Sequence, residues 1–174
     1  MGMAPGASAG VRCVTATREE LAGQALSARR STLAVAESCT GGLLGARVTS
    51  VSGSSAYFAG GVIAYSNAAK QSLLGVDGGV LGSEGAVSEP VARQMAEGAR
   101  QRLGTTYGIG VTGIAGPGGA VAGKPVGTVY IAVAGPHAGT VRRSVFPGGR
   151  QEVRAAACEA ALQMLLDVMG SEGR

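Results

Sequence analysis

Tryptophan is absent from this chain, histidine occurs once, lysine twice and cysteine three times. Each scarcity closes a class of chemistry. The one histidine, His137, falls at a predicted hairpin tip, where it is expected to be solvated, so neither a Ser-His-Asp nor a Cys-His arrangement can be built around it. One His and scattered carboxylates offer no ligand cluster, so no metal site is expected. Cys13, Cys39 and Cys158 are too few and too dispersed for a disulfide framework or a zinc site, which suits a reducing cytoplasm. Aromatic residues make up 3% of the chain, and the formal charge of +4 comes from Arg spread along its length, with no basic stripe interleaved with aromatics. Nucleic acid is therefore not an expected partner. No apolar stretch reaches membrane-spanning length, and Met1 to Gly10 lacks the basic start and apolar core of a signal peptide, so no membrane association is expected.

What the chain does have is aliphatic residues and 31 Gly in 174 residues, clustered at the ends of apolar runs without a collagen-like period. They read as turn chemistry. The length fits one domain with a substantial core: a flexible tail is expected over 1–14 and a single domain over 15–170.

Local patterns order that domain. Thr17-Arg18-Glu19-Glu20 is a capping box, and Leu21, Ala22, Ala25 and Leu26 follow at helical spacing, predicting a helix to about Arg30. Thr32 to Ala36 reads as a short buried strand, 41–51 as a small-residue helix, 52–55 as a loop and 60–66 as a second strand. Ser66 or Asn67 can cap a short helix carrying Lys70, Leu73 and Leu74, stopped by Gly75. Ser88, followed by Glu89 and Pro90, opens a longer helix to about Leu103. Tyr107 to Thr112 is a third strand, 113–125 a Gly-rich loop, and 126–134 with 140–146 a hairpin around Gly135-Pro136. A last helix runs from Gly149 or Arg150 to about Met169. Five strands with interposed helices give an α/β fold, a three-layer α/β/α sandwich whose sheet is mixed and mostly parallel, with one hairpin strand reversed. Sites in such sheets lie at the carboxyl ends of the strands, where Ser38, Lys70 and Thr112 fall.

Ser38 and Lys70 are the candidates for the chemistry, the alternative being that composition bias leaves two merely solvated Lys. Ser38 follows the apolar run Leu33-Ala34-Val35-Ala36 and precedes Gly41-Gly42, a strand-to-helix corner where a hydroxyl can stand free as a nucleophile. Lys70 is one of two Lys among 15 cationic residues. Arg stays protonated, whereas a buried Lys can lose its proton and act as a base, so a Ser-Lys pair needs only one neutral amine beside one hydroxyl. Cys39 is the alternative nucleophile. Tyr65 either relays a proton or is a strand-end aromatic; Arg150, a cation at a helix start, either meets a ligand anion or is a surface Arg. Gly118 to Lys124 imitates the first part of a phosphate-binding P-loop, but Pro125 stands where Ser or Thr should hold magnesium, and a strand follows instead of a helix. Its backbone N–H groups either serve a tight connection or face an anionic or amide ligand.

Several blocks together resemble one family. Ala36-Glu37-Ser38-Cys39-Thr40-Gly41-Gly42, Gly53-Ser54-Ser55-Ala56-Tyr57-Phe58, Tyr65-Ser66-Asn67 with Lys70, Gly85-Ala86-Val87-Ser88, Val111-Thr112-Gly113-Ile114-Ala115-Gly116-Pro117 and Lys124-Pro125-Val126-Gly127-Thr128-Val129 are similar, in order over about 17–169, to the CinA carboxy-terminal domain family. Stand-alone members of that family are nicotinamide-nucleotide amidohydrolases (PncC, NMN deamidase), which convert nicotinamide mononucleotide to nicotinate mononucleotide and ammonia. The resemblance implies Ser38 as nucleophile, Lys70 as its base with Tyr65 assisting, and Thr112, Gly113 and Arg150 at the substrate. It also implies oligomeric assembly, the same three-layer fold, no cofactor, and absence of the amino-terminal pyrophosphatase-like domain of longer members. Ala68 departs from the pattern, where the family often has an acidic residue. In this reading the N–H groups near Thr40, Gly41 and Gly42 receive the oxyanion. A non-catalytic nucleotide-binding module, or an amidohydrolase for another small amide, fits the same residues.

Overall fold

The structure, a computed structural model, describes residues 16–137 and 139–172; the tail expected over 1–14 lies outside them. The elements are α1 (Arg18–Ala28), β1 (Leu33–Glu37), α2 (Leu43–Thr49), a 3-10 turn (Ser54–Ala56), β2 (Phe58–Ile63), α3 (Asn67–Leu74), α4 (Gly78–Glu84), α5 (Glu89–Leu103), β3 (Tyr107–Gly113), β4 (Thr128–Ala134), β5 (Thr140–Val145) and α6 (Arg150–Glu172). The five strands form one sheet in the order β2-β1-β3-β4-β5. The β1 strand pairs in parallel with β2 and β3, whereas β4 pairs antiparallel with β3 and β5, so β4 is the one reversed strand.

Local chemistry explains most element ends. Thr17 and Glu20 form the reciprocal capping box of α1. Ser66, not Asn67, caps α3 through a 3.1 Å bond from the Ala69 N–H, and Gly75 at φ +71° closes it. The expected helix over 41–51 is shorter, because Gly41 and Gly42 take left-handed φ values of +56° and +94° and fold the chain into a turn before α2 begins. Strand β2 ends at Ile63, earlier than expected, since the chain leaves the sheet there to let Ser66 cap α3. Helix α4 was not visible in the hydrophobic pattern because Gly78, Gly79 and Gly82 interrupt it. The Asp77 side chain nucleates it by accepting from the Val80 N–H at 2.9 Å.

Strand alternation sends large aliphatics to one face and small residues to the other. Leu33, Val35, Ile109, Val111, Ile131 and Val133 pack with α1, α2 and α6. Ala34, Ala36, Ala132 and Ala134 face the α3, α4 and α5 side. Gly108 and Gly110 complete this second face, and α5 lies close against them: a Cβ at Gly110 would sit 2.4 Å from the Ala92 carbonyl oxygen and 2.6 Å from the Ala96 nitrogen.

Candidate active site

The ends of β1, β2 and β3 lie at one edge of the sheet because the three strands are parallel. Strand β5 returns the chain to that edge after the reversed β4, so α6 starts beside the turn following β1. Four sequence-distant segments thus converge. They line a cleft of about 270 Å³ whose wall includes Ser38, Cys39, Tyr65, Lys70, Thr112 and Arg150. Gly113 and loop residues Gly116, Gly118 and Gly119 also line it.

Lys70 is 1% exposed and Ser38 8% exposed. The Lys70 Nζ lies 3.0 Å from Ser38 Oγ and donates to the Ala64 carbonyl at 2.9 Å. Among the described residues no carboxylate forms a salt bridge with it. Burial therefore dominates, disfavouring the charged amine and lowering its pKa from the ordinary 10.5. A neutral amine here can give one N–H to Ala64 and turn its lone pair to the Ser38 hydroxyl. Ser38 is itself fixed, its N–H donating to the Val111 carbonyl at 3.0 Å. Cys39 lines the same cleft, but burial pushes its thiol up to about 11, so it stays protonated at neutral pH.

Arg150 reaches across the mouth. One Nη donates to the Gly116 carbonyl at 2.8 Å and the other to the Tyr65 hydroxyl at 2.9 Å. The guanidinium keeps further N–H groups for a ligand. Tyr65 is 61% exposed, and the hydrogen bond described for its hydroxyl is to Arg150, not to the Ser38–Lys70 pair. Thr112 is buried and donates to the Ala86 carbonyl at 2.7 Å, leaving its oxygen lone pairs as the available function. Thr40, Gly41 and Gly42 do not line the cleft. The Gly41 N–H bonds the Ser38 carbonyl and the Gly42 N–H bonds a Glu37 carboxylate oxygen, so neither is free to receive an oxyanion. The false P-loop is a tight turn bridged between Val121 and Lys124, and it leads into β4. His137 is exposed.

Two residues were not singled out from sequence. Glu37 is buried at the end of β1, and Arg154, one turn beyond Arg150, donates to the Thr40 carbonyl at 2.7 Å. A carboxylate directly after four apolar strand residues was the available signal for Glu37; a buried acid there must find N–H partners. Among the described residues no group of three or more His, Cys, Asp or Glu side chains converges to hold a metal ion, and no helix is long and apolar enough to cross a membrane.

Comparison with known proteins identifies the family and the fold. The chain matches the CinA C-terminal domain family over residues 15–169. A CinA-like protein from Gemmatimonas aurantiaca is 57% identical over 139 residues, covering 79% of this chain and 32% of its own length. A CinA-like protein from a Synechococcus species is 52% identical over 164 residues, covering 91% of this chain and 39% of its own length. The chain thus spans about a third of the length of the curated relatives it matches. Among solved structures, a CinA superfamily protein from Klebsiella pneumoniae superposes with a TM-score of 0.85 at 33% identity, over 90% of this chain and 99% of that one. A competence/damage inducible protein from Agrobacterium tumefaciens gives 0.84 at 39% identity, over 88% and 96%. The chain belongs to the CinA C-terminal domain family.

Proposed function

We propose that the chain is an amidohydrolase that converts nicotinamide mononucleotide to nicotinate mononucleotide and ammonia through Ser38 and Lys70. The observation that carries the reaction class is the 3.0 Å approach of a buried Lys70 amine to the Ser38 hydroxyl, with its pKa lowered by burial and no salt bridge to it among the described residues. The substrate assignment rests on the family resemblance, and Arg150 at the cleft mouth suits its phosphate.

The steps follow from that pair. Neutral Lys70 takes the Ser38 proton as Oγ attacks the carboxamide carbon, forming a tetrahedral intermediate. The protonated amine then gives its proton to the departing nitrogen, and ammonia leaves an acyl-serine. Water, deprotonated by the same amine, attacks the acyl carbon; the acid departs and Ser38 is regenerated. One amide and one water are consumed, one acid and one ammonia are released. Thr112 offers an acceptor to the carboxamide N–H₂, and Tyr65 assists by holding Arg150. No metal, cofactor or nucleoside triphosphate enters any step. A cytoplasmic location and a homo-oligomeric state belong to the same proposal.

The test is ammonia release from nicotinamide mononucleotide by the purified chain, in the presence of EDTA. Turnover is expected, abolished by Ser38→Ala and retained by Cys39→Ala. Binding without ammonia release would instead indicate a nucleotide-binding module. Activity lost to EDTA and restored by metal would overturn the metal-free mechanism.

A further inference from the structure

Glu37 has no part in the steps above, yet it is 2% exposed and forms no salt bridge among the described residues. Its partners are all backbone. One carboxylate oxygen accepts the N–H groups of Gly42 and Leu44, each at 3.0 Å, and the other accepts that of Gly45 at 2.9 Å. Gly41 and Gly42, both left-handed, reverse the chain so that these three donors turn back towards the strand that carries the carboxylate.

The same residue is tied to the reacting pair through its main chain. Its carbonyl accepts the Ala64 N–H at 2.8 Å, and the Ala64 carbonyl holds the Lys70 amine. Ser38 is the next residue. Glu37 therefore grips the far side of the nucleophile turn with its side chain and the lysine's anchor with its backbone. Strand alternation points its side chain to the α2 face of the sheet, opposite the face on which Lys70 meets Ser38, so the carboxylate and the amine lie on opposite faces.

We propose that Glu37 is a positioning residue: its carboxylate locks the turn that aims Ser38 at Lys70. The proposal rests on Ser38 being an amidohydrolase nucleophile. It makes Glu37 act through geometry, not as a counter-charge to Lys70.

The test uses Glu37→Gln and Glu37→Asp with p-nitrophenyl acetate. Ser38 Oγ attacks its acetyl carbon, p-nitrophenolate leaves, and the Ser38 proton passes to Lys70, so acylation can be followed without assuming the natural substrate. In Glu37→Gln the amide N–H₂ opposes at least one backbone N–H, while Glu37→Asp keeps the charge but withdraws it by one methylene. Ser38 acylation is expected to fall about a hundredfold in Gln and about tenfold in Asp, as displacement of a reacting group by about 1 Å commonly does. KM for nicotinamide mononucleotide should stay within about threefold, because Arg150 and Thr112 are untouched, and the ionisation seen in the acylation rate should not move. Wild-type acylation rates in a folded variant would overturn the proposal. A displaced ionisation would overturn it too, by making Glu37 an electrostatic partner of Lys70. Failure of both variants to fold would assign Glu37 to the fold alone. Wild-type protein that is acylated at Ser38 but releases no ammonia from the mononucleotide would reject the substrate and leave the Glu37 result standing. Wild-type protein that is not acylated would remove the nucleophile and this proposal with it.

Discussion

The two faces of the sheet do different work. The face with Leu33, Val35, Ile109, Val111, Ile131 and Val133 buries the large aliphatic area against α1, α2 and α6. The other, with Ala34, Ala36, Gly108, Gly110, Ala132 and Ala134, buries little per residue and lets α5 close onto the strands. The candidate chemistry divides along the same line. Ser38 and the buried Lys70 belong to the small-residue side, where a lysine on α3 can reach over short side chains to the turn after β1. Arg150 comes from α6, the helix packed on the large-residue side. In this reading one face holds the reacting atoms in a dry place, and the other supplies stability and the cation for binding.

Substitutions in each face sharpen that contrast. Gly110→Ala should have the largest effect on folding, because its Cβ would meet backbone atoms of Ala92 and Ala96 that cannot step aside. A loss of about 3 kcal/mol or more is expected in urea unfolding, at the upper end of overpacking costs. Arg150→Ala should leave stability nearly unchanged and raise KM for the phosphorylated substrate at least about tenfold, the scale of one hydrogen bond to a charged group. The dephosphorylated nucleoside should be affected far less; equal losses would place Arg150 on another part of the ligand.

Lys70→Met tests the dry side through stability against pH. The native state lowers the Lys70 pKa, so between that lowered value and the ordinary 10.5 the unfolded chain binds a proton that the folded chain does not. Wild-type stability should rise with pH across that window, and Lys70→Met should lack that contribution. Below the window the Met variant should be at least as stable as wild type, because it has no charged amine to bury. A parallel pH dependence in both proteins would show that Lys70 is not desolvated. Ile131→Val, on the large face, should cost only about 1 kcal/mol, since one methyl is lost from a face that packs by area.

How much of this was legible in the sequence depended on how local the cause was. The capping box at Thr17, the stop at Gly75 and the hairpin near Gly135 follow from a few neighbouring residues, and each stands as read. Five strands with one reversed also followed, because strand count and hairpin spacing are local. Helix α4 did not, since a single side-chain cap at Asp77 starts it and glycines hide its period. The candidate residues Ser38 and Lys70 were visible as residue types out of keeping with their surroundings. The partners of Glu37 were not, because they depend on two left-handed glycines returning the chain to its own strand end. The bond from Arg150 to Tyr65 joins positions 85 apart and needs the sheet order to be known.

The most direct measurement on the central claim is the rate of ammonia release against pH for wild type and Lys70→Arg. Arg keeps the positive charge and a similar reach but does not surrender a proton at any pH the fold survives. If Lys70 is the base, the wild-type kcat/KM rises with pH through one ionisation below the ordinary lysine value of 10.5, and a folded Lys70→Arg protein loses at least about a hundredfold. A folded Lys70→Arg enzyme that retains near wild-type activity with the same pH profile would contradict the Ser38–Lys70 mechanism.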